Sequence, residues 1–102
     1  MTYVEEARER LVAAFPKLGE ECRSDLLDLY TLLVLIRGEE ATEKHVHDAW
    51  SVRTSRVRPD HWSIVPFEEL SEETRRRDAK YAVEIRRIAR ELNDLVPAPS
   101  GA

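Results

Sequence analysis

Between Ser71 and Leu95 five large apolar residues fall on one line. Tyr81, Ile85, Ile88, Leu92 and Leu95 follow a 4-3-4-3 rhythm, which is one face of an α-helix. Ser71 can accept the free amides at its start, so the spacing predicts a helix over Glu72–Leu95, about 36 Å long. In a chain of 102 residues the remaining elements have to pack along a helix of that length.

Three shorter helices are predicted to do so. The first runs from about Tyr3 to Phe15, with Thr2 and Glu5 placed as a capping box and Val4, Ala7, Leu11, Ala14 and Phe15 as its apolar stripe. Pro16 and Gly19 end it. The second runs from about Ser24 to Arg37, with Gly38 as a left-handed cap. Its second half, LYTLLVLI, is apolar nearly all round, so it is either the central core helix or partly covered by a partner chain. The third runs from about Glu43 to Val57 behind Thr42, and Val46, Trp50, Arg53 and Val57 share one line. A loop framed by Pro59 and Pro66 follows, RPDHWSIVPFEEL. It is too apolar for a free surface loop, so it is expected to pack on the helices, with a short extended stretch at Ser63–Val65.

Only three glycines occur, with 42% hydrophobic and 35% charged residues, which favours an ordered helical domain over disorder or a turn-rich sandwich. The expected fold is mainly α: one compact four-helix domain over residues 1–96 with a packed, proline-framed loop before the last helix. Residues 97–102 read as a disordered tail, since two prolines and small residues near the end of the chain cannot continue the helix.

Two residues break the apolar lines. Counted back from Tyr81, the stripe of the last helix passes through Asp78 and then Thr74, which puts a carboxylate on the buried side. A buried carboxylate is costly unless it is paired or hydrogen-bonded. Asp78 therefore either locks the fold, by taking amides near Ile64–Phe67 or pairing with Arg53, or contacts a ligand. Arg53 falls on the inward line of the third helix beside Trp50.

The segment SVRTSRVR carries Arg53, Arg56 and Arg58 with no acid between Asp48 and Asp60, and His61 and Trp62 follow. Guanidinium forks suit phosphate and carboxylate, and an indole can stack on a base. The alternative is a solvated helix end whose arginines answer the acidic first half, where residues 1–48 hold 11 acids against 6 bases. The candidate ligand-binding set is Trp50, Arg53, Arg56, Arg58, His61, Trp62 and Asp78.

Other chemistries find little support. His45, His47 and Asp48 lack the spacing of a metal site. No glycine-rich phosphate loop or nucleophile elbow occurs, so no catalytic residue, metal or cofactor is expected. The arginines of the last helix alternate with acids, a solvated pattern that argues against a nucleic-acid face. No segment approaches the ~20 apolar residues of a membrane span, and the single Cys22 suits a reducing cytoplasm.

The run from Pro59 to Asp78 resembles the closing signature of ryanodine-receptor-type domains, carried here by Pro59, His61, Ile64, Val65, Pro66, Phe67, Leu70 and Asp78, with His47 and Trp50 ahead of it. The whole chain also resembles small stand-alone proteins of actinobacteria and their phages. The turn that precedes the signature in receptor repeats contains glycine, and SVRTSRVR stands in its place. The resemblance implies a non-enzymatic sensor or accessory module for a nucleotide-derived ligand. The chain is thus expected to be a phosphate-ligand binding module, or else a protein-interaction or homodimerisation module working through residues 24–37.

Overall fold

Three of the four helices begin where a hydroxyl can accept an amide. In the computed structural model, which describes residues 2–95, α1 (Tyr3–Ala14) starts behind Thr2, whose Oγ1 accepts the Glu5 amide at 3.1 Å. α3 (Glu43–Val57) starts behind Thr42 and α4 (Glu72–Leu95) behind Ser71, each accepting an amide three residues on at 3.3 Å. α2 (Ser24–Ile36) has no hydroxyl cap; the Asp25 carboxylate takes the Leu26 amide at 2.8 Å instead.

The reciprocal capping box lies at a different helix from the one expected. Glu5 takes the Thr2 hydroxyl rather than its amide. At Thr42 the box closes through histidine: the Thr42 N–H donates to His45 Nδ1 at 3.0 Å. Short 3₁₀ turns at Pro16–Gly19, Glu21–Arg23, Gly38–Glu40 and Phe67–Glu69 form the corners, and Gly38 adopts φ 57° after α2.

No strand occurs among the described residues, so the fold is the mainly-α four-helix domain that the periodicity predicts. The extended stretch expected at Ser63–Val65 does not form: Ser63 lies in a turn and Val65 in a bend. A lone stretch there has no neighbouring strand to take its amides. The predicted tail, 97–102, lies outside the described residues, as does Val96. No described helix is long and apolar enough to cross a membrane.

α2 packs on α1, α3 and α4, and α4 likewise packs on the other three helices. Leu11, Leu18, Tyr30, Val46, Ile85 and Ile88 are fully buried between them. Burial of an isoleucine or leucine side chain contributes about 2 kcal/mol, and Ala7, Ala82 and Ala89 let the backbones approach. One side of α2 stays uncovered, with Leu32, Leu35 and Ile36 exposed. The predicted stripes also run out at their ends: Val57 and Leu95, the last residues of α3 and α4, are exposed.

Arginines tie the elements together. Arg10 bridges α1 to Glu91 of α4 at 2.9 Å, Arg8 joins Asp28 of α2 at 2.9 Å, and Arg86 of α4 donates to the Ala41 carbonyl at 2.8 Å. Exposed pairs of this kind stabilise by about 0–1 kcal/mol each. Arg10 and Arg86 tie the second half of α4 to α1 and to the turn before α3.

Candidate functional site

Arg23, Leu26 and Tyr30 lie on one face of α2 and the turn before it, at helical spacing. Arg77, Asp78 and Tyr81 share a face of α4, because four and three residues separate the first two from Tyr81. α3 brings His47, Trp50 and Arg53, and the proline-framed loop adds His61 and Trp62. These surfaces meet around a cleft of about 530 Å³, within the range of small-molecule sites.

The cleft has a cationic rim. Arg53 is anchored there: its Nε donates to Asp25 at 3.2 Å and another guanidinium nitrogen donates to the Cys22 carbonyl at 2.9 Å. Arg23 approaches Glu20 only to 3.7 Å. Arg58 and Arg77 meet no carboxylate among the described residues, although the chain carries 20 acids against 16 lysines and arginines.

One wall is aromatic. Trp50 and His61 meet edge to face at 5.1 Å, and His61 stacks on Trp62 at 5.7 Å. Trp62 is 75% exposed. The loop is expected to pack on the helices, and Ser63 and Leu70 are buried, but Trp62 turns outward to the cleft's edge.

The floor is polar and poorly satisfied. Asp78 was expected to take loop amides or to pair with Arg53. It does neither: Arg53 is held by Asp25 and Cys22, and Asp78 Oδ2 is buried with no hydrogen bond. Burial pushes the Asp78 carboxyl up to about 6, against the pull of His47 and with a contribution from Glu43. Tyr30, 2% exposed, lines the same cleft. Burial foremost, then Tyr81 and Asp78, hold its hydroxyl above the ordinary tyrosine value, so it remains a neutral donor and acceptor.

His47 connects floor and loop. Its Nε2 lies 2.6 Å from the Val65 carbonyl, and a carbonyl only accepts, so Nε2 carries a hydrogen. Its Nδ1 faces Asp78 Oδ2 at 3.7 Å, and Ser51 Oγ lies 3.3 Å from Nε2. Serine, histidine and aspartate thus stand in the order of a hydrolytic triad. The Val65 carbonyl occupies the nitrogen that would have to take the Ser51 proton, so this geometry gives Ser51 no base.

Six of the seven residues singled out from the sequence come together at the cleft: Trp50, Arg53, Arg58, His61, Trp62 and Asp78. Arg56 does not; it is exposed in the last turn of α3 and is no part of the lining. The sequence reading missed Arg23, Tyr30 and Arg77. For Arg77 a signal existed, since counting back four from Tyr81 instead of three reaches it. For Arg23 and Tyr30 the signal was their shared line with Leu26, hidden in a helix apolar nearly all round.

No group of histidine, cysteine and acidic side chains placed to hold a metal occurs among the described residues. No curated protein and no solved structure matches the chain. A family model does, over residues 2–90, which takes in all four helices up to the last turns of α4 and every residue of the cleft. The chain belongs to that family, a domain of unknown function designated DUF7701.

Proposed function

We propose that the chain is a non-catalytic binding module for a small ligand that carries phosphate and a flat ring, as a nucleotide does. The observation that carries the reading is the pair Arg58 and Arg77, both on the rim and both without a carboxylate among the described residues. A guanidinium left unpaired in an acidic chain is available for an anion. The exposed Trp62 beside His61 supplies a stacking wall. The resemblance to ryanodine-receptor-type domains supports the same reading.

The test is calorimetric titration and thermal shift with a panel of nucleotides and cyclic dinucleotides. A ligand of this kind raises the melting temperature by mass action, by about 2.7 kcal/mol of stability at one hundred times its dissociation constant. Arg58→Glu with Arg77→Glu is expected to abolish the shift and to leave the stability of the free protein within about 0.5 kcal/mol of the parent. No binding across the panel sinks the proposal.

One observation favours a second reading, a protein-interaction module. Leu32 and Ile36 of α2 are 48% and 63% exposed, and Tyr3 and Leu95 are exposed as well. Light scattering over a concentration series tests its homodimer form, and a strict monomer counts against it.

A further inference from the structure

The floor of the cleft carries more information than its rim. Asp78 is a largely buried carboxylate, 13% exposed at its side chain, and neither of its oxygens accepts a hydrogen bond from a described residue. Buried acceptors are nearly always satisfied, and a bound molecule is one way to satisfy them. Tyr30, 2% exposed as a residue, lines the same cleft, and no hydrogen bond joins its hydroxyl to a described residue. The cleft therefore holds the two oxygens of one carboxylate, Oδ2 turned toward His47, and a hydroxyl donor on the same lining.

Resting on the phosphate-module reading, we infer that the flat ring of the ligand is guanine, held edge-on by Asp78 and Tyr30. Guanine presents an amino group, a ring N–H and a carbonyl in a row, which is donor, donor, acceptor. The two donors answer the two Asp78 oxygens and the carbonyl answers the Tyr30 hydroxyl. Oδ2 lies closed off against His47 Nδ1, and binding requires a turn about the Asp78 Cβ–Cγ bond, a soft torsion, that brings it to the cleft with Oδ1. Adenine and cytosine set a lone pair next to their amino group, and that lone pair would face the second carboxylate oxygen. Uracil has one N–H between two carbonyls. A cationic ligand would also satisfy Asp78, but the guanidinium groups of Arg58 and Arg77 on the same cleft repel it.

The intact chain is titrated by calorimetry at about pH 7.5 with GMP, IMP, AMP, phosphocholine and ribose 5-phosphate. GMP is expected to bind at least about tenfold more tightly than AMP, with IMP between them because it keeps the ring N–H and lacks the amino group. Asp78→Asn is expected to weaken GMP about tenfold, to leave ribose 5-phosphate unchanged, and to melt no lower than the parent. Tyr30→Phe is expected to weaken GMP and not phosphocholine. Equal affinity for GMP and AMP, or Asp78→Asn binding GMP like the parent, overturns the guanine assignment and leaves the phosphate module standing. Phosphocholine binding in preference to GMP also overturns it. No binding by ribose 5-phosphate or any nucleotide overturns both.

Discussion

Asp78 Oδ2 faces His47 Nδ1 at 3.7 Å, just beyond hydrogen-bonding distance. The other imidazole nitrogen is committed to the Val65 carbonyl, so two groups that both accept are turned toward each other unless a proton lies between them. The energetic burden of that arrangement depends on pH.

The burial of Asp78 raises its carboxyl from the ordinary range to about 6, so the folded protein holds this proton more tightly than the unfolded chain does. Its contribution to stability is complete below about pH 4 and is lost as pH rises through about 6. Asp78→Asn removes the ionisation. The variant is expected to melt higher than the parent at about pH 7.5, with the gap closing by about pH 4. Thermal melts of both proteins across that range check this; a constant gap would mean that Asp78 acts by packing alone.

Thr54 carries a second unmet group. The residue is 3% exposed and its Oγ1 has no hydrogen-bond partner. Valine has the same shape without the hydroxyl. Thr54→Val is therefore expected to stabilise the protein by about 1 kcal/mol, as relief of a buried unpaired polar atom. Urea denaturation gives the number directly, and a loss of stability would show that the hydroxyl finds a partner in solution.

Thr42 does the opposite work. Its hydroxyl and its amide are both engaged with His45, at 3.3 and 3.0 Å. Thr42→Ala removes the hydroxyl and is expected to cost about 1 kcal/mol, as at other helix starts. Thr42→Ser keeps the oxygen and should recover most of it, which separates capping from the loss of the methyl group.

Gly38 adopts φ 57°, in the left-handed region. A Cβ there would stand 3.8 Å from the Ala89 Cβ, an ordinary contact. The cost of Gly38→Ala is thus conformational, about 1–2 kcal/mol, and Gly38→Asn should lose less, because asparagine tolerates this region. Comparable losses for both would point to crowding against Ala89.

Periodicity and caps were enough to place α3 and α4 to the residue, and α1 and α2 to within one, because hydroxyl caps and glycine act locally. Six residues of the cleft were also readable, since aromatic and cationic side chains beside an apolar stripe are conspicuous. What escaped depended on the direction of side chains in space. Asp78 and Arg53 both face inward as the stripes required, yet Arg53 turns to the start of α2 and not to Asp78. Tyr30 reads as one more core residue in a largely apolar helix, and only the packing of α4 across α2 brings it to the same cleft as a carboxylate.

The chain has two tryptophans, Trp50 and Trp62, and both line the cleft. The intrinsic fluorescence of the protein therefore comes almost wholly from this one place. Trp62, open to water, emits toward the red, and Trp50, half-buried against His47 and His61, emits toward the blue. The molecule carries its own unlabelled optical reporter, silent about the rest of the bundle and responsive to whatever enters beside Asp78.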